Sequence, residues 1–239
     1  MPASGTRHID ADTMVSAGSF EAALRAAGAV VAGVDAVMEG AGNAFCAVRP
    51  PGHHAEPGTP MGFCLFNNVA VGALHARAAW GCRRVAVVDF DVHHGNGTQA
   101  AFAADPDLFY GSTHQSPLYP GTGAAREVGV GNIVNAPLPP GAGSTEFRLA
   151  MERRVLPALD AFAPDFLLIS AGFDGHRADP LANLCFDEAD YAWITQRLTE
   201  TAARHCGGRI VSTLEGGYDL DALALSVASH VAVLMDAAA

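Results

Sequence analysis

Basic residues are scarce in this sequence: Lys and Arg together number 14 against 25 Asp and Glu, for a formal net charge of -11. A protein that grips nucleic acid through its phosphates needs a basic surface, so this balance argues against direct nucleic-acid binding. Paired cysteines are missing too, since the 5 cysteines are scattered, odd in number and form no C-x-x-C pair. We therefore expect reduced thiols, as in a cytoplasmic protein, and no disulfide framework.

The N-terminal stretch MPASGTRHIDADTM lacks the apolar core of a signal peptide, and no unbroken apolar run reaches roughly 18 residues. These absences predict a protein that neither spans nor binds a membrane. Internal repeats and low-complexity linkers are absent as well. With 239 residues, of which 50% are hydrophobic, the chain is long enough for one large domain, which we expect to cover residues 1–239.

Apolar stretches rich in Val, Ile and Phe alternate with longer Ala- and Leu-rich segments of helical period. This alternation predicts a three-layer α/β/α domain, with a mostly parallel sheet between two layers of helices. The predicted strands are 44–48, 84–92, 108–113, 132–138, 165–173 and 209–216, and the predicted helices are 19–42, 66–81, 144–162, 187–208 and 219–237. Two Gly- and Pro-rich pieces, 49–62 and 117–131, are too long for tight turns and are expected to be ordered loops.

Polar residues follow several of the predicted strands, at the sheet edge where open α/β sheets bind their ligands. After the apolar run of the second, fifth and sixth predicted strands come, in order, Asp89, Asp91, His93 and His94, then Asp174 and Asp179, then Tyr218. Because the carboxyl ends of parallel strands meet at one edge, these side chains are expected to gather there.

Asp91 and His93 are two residues apart, so on an extended chain they point the same way and can share a metal. By its position, Asp174 is the best candidate for a third ligand. Two carboxylates and one imidazole suit zinc or ferrous iron, with a position left open for water. The alternative is that Asp91 and His93 only hydrogen-bond to loop backbone where the strand ends.

The segment PGHHA places His53 and His54 in a loop after the first predicted strand. Beside a metal, one could act as a base for water while the other holds charge; otherwise both are structural. Tyr218 follows a Gly-Gly turn, and its hydroxyl could donate to a developing oxyanion or simply be buried with a partner. Phe63 and Tyr119 could pack in the core or wall a narrow channel.

Taken together, the segments RPPGHHA, GFCLFNNVAVGA, VDFDVHHGNGTQ, PGTG, SAGFDGHRADP and LEGGYD resemble the zinc-dependent histone deacetylase family, which has the arginase/deacetylase fold. The resemblance runs from about Asp10 to the C-terminus. Asn96 and the Leu-Glu before the double glycine are similar to class II members and bacterial deacetylase-like amidohydrolases. The family's N-terminal segment, with a first strand and a rim loop, is missing before Asp10. We therefore expect a more open pocket and a homodimer formed through the uncovered sheet edge.

The resemblance assigns the zinc ligands to Asp91, His93 and Asp174, in agreement with the choice made from the residues. It makes His54 the proton shuttle, oriented by Asn96, and His53 an electrostatic residue hydrogen-bonded to Asp89. Tyr218 takes the carbonyl-polarising role. The residues that the resemblance places around the substrate are Gly62, Phe63, Tyr119, Asp12 and Gly217.

The resemblance also implies structural monovalent cations, potassium or sodium. The first potassium site would use Ser112 with backbone oxygens near Asp89, Asp91 and His93. A second would use Phe102, Asp105 and Leu108. One catalytic metal is expected, because the two-manganese arginase branch requires acids at the positions of Gly95 and His176.

The function implied is zinc-dependent hydrolysis of acetyl-lysine, or of another acyl-lysine, with release of acetate. Acetylated polyamines or other small amides are an alternative substrate class, and charge does not discriminate between the two, because an acidic surface suits either cationic partner. An alternative of a different kind is a zinc-binding module without turnover, owing to the shortened pocket rim.

Overall fold

The computed structural model describes residues 1–238, with eight strands and seven α-helices in that part of the chain. The strands are β1 (Thr6–His8), β2 (Met14–Ser16), β3 (Asn43–Cys46), β4 (Val85–Asp89), β5 (Leu108–Gln115), β6 (Ile133–Leu138), β7 (Phe166–Ala171) and β8 (Ile210–Leu214). The helices are α1 (Ser19–Met38), α2 (Asn68–Trp80), α3 (Asn96–Phe102), α4 (Ser144–Ala150), α5 (Leu156–Phe162), α6 (Glu188–Cys206) and α7 (Leu220–Ala238).

Strands β3 to β8 form a six-stranded sheet in the order β3-β8-β7-β4-β5-β6, and every neighbouring pair in it is parallel. Strands β4, β5 and β7 are buried along their whole length. A parallel sheet covered on both faces reads as continuous apolar runs, and these runs are what identified the strands in the sequence. The predicted α/β fold with a parallel sheet is confirmed.

The two faces of the sheet support separate apolar layers. Along β4, Ala86 and Val88 face the layer built with α4, α5, α6 and α7, whereas Val85 and Val87 face the layer built with α1, α2 and α3. Successive side chains of a strand point to opposite faces, so one short strand contributes to both layers. The three-layer arrangement places the carboxyl ends of β4, β7 and β8 side by side at one edge.

Four local features differ from the sequence-based expectations. Strand β4 ends at Asp89 rather than at residue 92, helix α3 was not predicted, and β1 and β2 form a small antiparallel pair. The predicted helix 144–162 is interrupted by a π turn at Met151–Val155. Pro157 has no backbone N–H to donate to the preceding turn, so regular α-helical bonding is broken there.

Among the described helices, α7 is long and apolar enough to cross a membrane by length and composition, with a mean hydropathy of 1.5. In the structure it packs against α6 and β3. Its buried residues are Ala222, Ser226, His230 and Leu234. Length and composition are weak evidence for a membrane span, because helices of folded domains also meet both criteria.

Candidate active site

The chain turns sharply after β4 instead of continuing as an extended strand. Asp89 Oδ1 accepts the backbone N–H of Asp91 at 3.1 Å, and Asp91 Oδ1 then accepts the backbone N–H of His93 at 2.8 Å. Short acidic side chains favour such turns because they bond to the backbone two residues on. The sequence pattern predicts that Asp91 and His93 lie close because side chains alternate along an extended strand. That explanation is wrong, because two successive carboxylate turns bring the two residues together.

Asp91, His93 and Asp174 direct polar atoms toward one point beyond the ends of β4 and β7. His93 Nδ1 lies 3.1 Å from Asp91 Oδ1 and 3.1 Å from Asp174 Oδ2. One possible ligand atom from each residue lies within 4.8 Å of the other two. Backbone N–H groups hold the outer oxygens, from Gly216 to Asp91 Oδ2 at 2.8 Å and from Val92 to Asp174 Oδ1 at 2.9 Å. Asp91 Oδ1, His93 Nδ1 and Asp174 Oδ2 are thus fixed facing one another.

The electrostatics of this cluster call for a positive charge at its centre. Burial, together with the charge of Asp91, raises the pKa of Asp174 to about 6. Burial alone would lower the pKa of His93, but hydrogen bonds to Asp174 and Asp91 raise that pKa to about 10. Two buried carboxylates this close repel each other unless a cation lies between them. Two carboxylates and one imidazole are a donor set that zinc accepts with a position left open, so the residues present fit the metal.

His53 and His54 lie beside the cluster with their ring centroids 4.1 Å apart. His53 Nδ1 contacts Asp89 Oδ2 at 3.0 Å, and the same oxygen accepts the hydroxyl of Tyr110 at 3.0 Å. His54 Nδ1 lies 2.8 Å from the amide oxygen of Asn96. An amide oxygen only accepts, so His54 carries a proton on Nδ1 and keeps Nε2 free when neutral.

The two histidines have opposite preferences for charge. Burial would lower the pKa of His53, but the charges of Asp91, Asp89 and Glu215 raise it well above its ordinary value. Burial and the charge of His53 lower the pKa of His54 well below its ordinary value. The pair therefore divides into a charged His53 and a neutral His54, and only the neutral ring can accept a proton from water.

A pocket of about 220 Å³ opens over these groups. Its lining consists of Asp12, Pro51, His53, His54, Gly62, Phe63, His93, Leu118, Tyr119, Leu181, Gly216 and Tyr218. The Tyr119 ring packs edge-on against His54 with centroids 5.1 Å apart, and the Phe63 ring packs edge-on against Tyr218 at 6.1 Å. Phe63 and Tyr119 are 39% and 37% exposed, so they form the wall of an opening and not the core.

Tyr218 and two glycines complete the pocket. The backbone N–H of Tyr218 donates to Asp179 Oδ2 at 2.8 Å, which anchors the turn after β8. Gly62 has φ of 55° and lies against the His54 ring, where a Cβ would clash, so this close approach requires glycine. Gly217 has φ of 145° and lines a neighbouring groove, whereas Gly216 lines the pocket itself.

Asp12 reaches the mouth of the pocket, as the resemblance implied. Its Oδ1 accepts the hydroxyl of Thr13 at 3.0 Å, and Thr13 Oγ1 in turn accepts the backbone N–H of Phe63 at 3.1 Å. The segment before β2 is thereby tied to the wall of the pocket. These bonds hold Asp12 at the rim, where an acidic group faces any incoming cationic chain.

Glu215 is a site residue that the sequence reasoning missed. Its side chain is buried, with 6% of the residue exposed. Oε2 accepts the backbone N–H groups of Gly52 at 2.7 Å and of His53 at 3.1 Å. Oε1 accepts the hydroxyl of Ser170 at 2.9 Å. Burial raises the pKa of Glu215 to about 7, although the charge of His53 opposes the rise. Its place in LEGGYD, directly after a buried strand, was the available signal.

Comparison with known proteins identifies the family. The family described as "Histone deacetylase domain" matches residues 2–234. The chain belongs to the histone deacetylase family. Histone deacetylase 14, chloroplastic, from Arabidopsis thaliana is 46% identical over 233 residues, covering 93% of this chain and 55% of that protein. The histone deacetylase-like amidohydrolase of Pseudomonas aeruginosa is 43% identical over 213 residues, covering 87% and 56%.

The fold agrees with this histone deacetylase assignment. The crystal structure of the HDA15 HD domain superimposes with a TM-score of 0.92 at 42% identity, covering 97% of this chain and 66% of that chain. The chain therefore spans only part of the length of these relatives: about half of the two proteins named above and two thirds of the HDA15 domain.

The first monovalent cation site that the histone deacetylase resemblance implies is compatible with the structure. Asp89 and Ser112 lie opposite each other on β4 and β5. His114 Nε2 lies 2.9 Å from the carbonyl of Gly123 and must donate there, so His114 Nδ1 accepts the hydroxyl of Ser112 at 2.9 Å. The lone pairs of Ser112 Oγ remain able to hold a cation.

The second cation site that the resemblance implies coincides with a protein side chain. The carbonyl oxygens of Phe102, Asp105 and Leu108 do converge, but the side-chain amide nitrogen of Asn132 already lies among them at 2.9, 2.9 and 2.6 Å. A monovalent ion and an amide group cannot share that position. The second potassium expected at these three residues stays a prediction, and the Asn132 amide competes with it for the same oxygens.

Proposed function

We propose that this chain is a zinc-dependent deacetylase that hydrolyses acetyl-lysine side chains and releases acetate. The observation that carries the proposal is that one pocket brings together a metal-ligand cluster, a pair of histidines with opposite charge preference, and Tyr218. Membership of the histone deacetylase family supports the same reaction class.

Asp91, His93 and Asp174 would hold the zinc ion. When bound there, zinc polarises the carbonyl group of the amide and lowers the pKa of water, which makes attack feasible at neutral pH. The Asp91 and Asp174 oxygens bonded to backbone N–H groups keep the ligand geometry fixed before substrate arrives.

His54 is placed to move the proton. Its Nδ1 is bonded to Asn96, so Nε2 is the atom that removes a proton from the attacking water. The same nitrogen then protonates the leaving amine, which becomes the free amino group of lysine. His53, charged and bonded to Asp89, keeps the pKa of His54 low enough for the proton to be given up again.

Tyr218 donates its hydroxyl hydrogen to the carbonyl oxygen as that oxygen gains negative charge. Burial and the nearby charges of Asp174 and Asp91 raise the pKa of Tyr218 well above its ordinary value. The phenol therefore stays protonated and available as a donor throughout the pH range of the reaction. Removal of one such donor typically costs about two to three orders of magnitude in rate.

The test is acetate release from an acetyl-lysine peptide by the zinc-loaded protein. We expect turnover in the parent and a kcat roughly 100- to 1,000-fold lower in Tyr218→Phe. Tyr191→Phe is the matched control, because the buried Tyr191 hydroxyl donates to the carbonyl of Phe173 behind the pocket and should leave kcat within a few fold.

Three outcomes would contradict the proposal in different ways. Turnover of N-acetylated polyamines without turnover of the peptide would identify a small-amide deacetylase. Stoichiometric zinc without hydrolysis of either substrate would identify a metal-binding module. Equal losses of kcat in Tyr218→Phe and Tyr191→Phe would remove the assigned role of Tyr218.

A further inference from the structure

The side chain of Asn132 lies at the centre of a ring of backbone carbonyls. Its amide nitrogen is 2.9 Å from the oxygen of Phe102, 2.9 Å from that of Asp105 and 2.6 Å from that of Leu108. These oxygens come from the end of α3, the following loop and the start of β5. Asn132 itself immediately precedes β6 and is 5% exposed.

The number of acceptors exceeds the number of hydrogens. An amide nitrogen carries two hydrogens, whereas three carbonyl oxygens approach it within hydrogen-bond distance. Two of these oxygens also accept backbone N–H groups, Phe102 from Asp105 at 3.0 Å and Asp105 from Leu108 at 3.1 Å. Carbonyl dipoles that converge in this way repel one another, and the same arrangement holds potassium in selective channels.

The amide is held in the ring by bonds on its other side. Asn132 Oδ1 accepts the backbone N–H of Val130 at 3.2 Å, and the backbone oxygen of Asn132 accepts the N–H of Tyr110 at 3.1 Å. A Cβ at Gly129, where φ is 56°, would meet Asn132 Oδ1 at 2.6 Å. The turn before β6 is thus shaped around this one side chain.

The neighbouring carboxylates are engaged elsewhere. Asp105 pairs through Oδ2 with the guanidinium of Arg77, and its Oδ1 accepts the backbone N–H of Asp107 at 3.0 Å. Asp107 faces Arg83 at 3.4 Å. No full negative charge is therefore directed into the ring from these two residues. The two hydrogens of the neutral amide, together with the backbone N–H groups of Asp105 and Leu108, are enough to give each of the three carbonyls a donor.

We infer that the Asn132 amide replaces the second monovalent cation, so that this chain carries a built-in donor where an ion would otherwise join α3, β5 and β6. The loop between α3 and β5 is then held to the start of β6 whatever the potassium concentration. At most one monovalent cation, that of the Ser112 site, is expected in this half of the sheet.

The first test uses the unaltered chain. Crystals of the zinc-loaded protein grown in rubidium chloride are examined for anomalous scattering by rubidium. We expect no rubidium peak among the carbonyl oxygens of Phe102, Asp105 and Leu108. A peak bounded by those three oxygens, with the Asn132 side chain turned away, would overturn the inference.

The second test removes the amide. The thermal midpoints of the parent and of Asn132→Ala are compared in potassium chloride and in N-methylglucamine chloride of equal concentration. We expect the potassium-dependent rise of the midpoint to be at least about 3 °C larger in Asn132→Ala, because the emptied ring now binds the ion.

Asn135→Ala is the matched control for this comparison. Asn135 is also buried, at the third position of β6, but its amide donates to Gln99 Oε1 at 2.7 Å and to only one carbonyl, that of Glu127, at 3.2 Å. Asn135→Ala should lose stability equally in both salts. The same potassium response in the parent and both variants would contradict the inference.

Discussion

Two polar clusters, each built around histidine, lie against the same sheet and have opposite electrostatics. At the carboxyl edge, His53 and His93 face the carboxylates of Asp89, Asp91 and Asp174. The second cluster lies between α6, α7 and β8 and consists of His230 with two hydroxyl groups: Nδ1 lies 2.6 Å from Thr195 Oγ1, and Nε2 lies 2.8 Å from Ser212 Oγ. The carboxyl groups of the edge cluster and the ring of His230 are both buried, yet only the edge cluster accumulates charge.

The His230 cluster is complete by itself. Both ring nitrogens have hydroxyl partners, and the rings of Phe45, Phe90 and Phe173 pack around the imidazole. Burial lowers the pKa of His230 to about 3, so this imidazole stays neutral. A neutral, fully bonded histidine in an apolar surrounding stabilises the packing of α6 and α7 and has no capacity left for a ligand.

The edge cluster, by contrast, remains incomplete without a cation. Asp89, Asp91, Asp174 and Glu215 are all buried there, and burial raises the pKa of Asp89, Asp174 and Glu215 because the nearby imidazoles do not fully compensate for the lost solvation. Burial alone therefore does not distinguish a functional histidine from a structural one. The distinction lies in unbalanced charge together with access to a pocket.

The largest expected effect follows from Asp174→Asn. Asparagine keeps the oxygen that accepts the Val92 N–H but removes the charge, so zinc should bind at least ~100-fold more weakly, as measured by competition with a chelating dye. Without metal, the variant should be at least as stable as the parent, because the repulsion between Asp174 and Asp91 is gone.

Asp190→Asn is the control for that prediction. Asp190 is equally buried but is paired with Arg148 and Ser144, away from the pocket. Its substitution should lower stability and leave zinc affinity unchanged. Equal zinc binding by Asp174→Asn and the parent would show that the edge cluster is balanced without a metal and would abolish the contrast with His230.

A smaller effect is expected at Glu215. Glu215→Ala leaves the N–H groups of Gly52 and His53 without acceptors, which should lower the free energy of unfolding by roughly 2–4 kcal/mol in urea denaturation. Glu215→Gln retains an oxygen for both N–H groups and should recover most of that stability. Equal destabilisation in the two variants would mean that the charge, and not the hydrogen bonds, holds the histidine loop.

The smallest effect concerns pH and His230. Because the pKa of His230 falls from 6.5 to about 3 on folding, the unfolded chain binds a proton below pH 6.5 that the folded protein refuses. This residue therefore lowers stability as the pH falls from 6.5 toward 3, at up to ~1.4 kcal/mol per pH unit.

The measurement is urea unfolding of the parent and of His230→Asn at pH 7 and pH 5. The stability advantage of the parent should shrink by roughly 2 kcal/mol at the lower pH, since asparagine does not titrate. An advantage that stays constant between the two pH values would show that folding leaves the pKa of His230 unchanged, so that its imidazole accepts a proton in the folded protein.

Local patterns were sufficient for much of the fold. The runs around Val85–Asp89 and Phe166–Ala171 are apolar over their whole length, and only strands buried on both faces need that composition. By comparison, α3 has seven residues, a glycine at its N-cap and no apolar period, so local sequence did not indicate it. The helix forms because the loop that carries the two histidines holds its first turn. His54 Nδ1 is bonded to the side chain of Asn96, and the carbonyl of His53 accepts the backbone N–H of Thr98.

The sequence by itself determined the inventory of the site: which strands end in acids and imidazoles, and which motifs mark the histone deacetylase family. The tertiary structure decided the pairings. Glu215 meets Gly52 across 163 positions of chain, and Asn132 meets Phe102 across 30. Periodicity records how each segment faces the core, whereas the partner of a buried polar group depends on which segments the fold brings together.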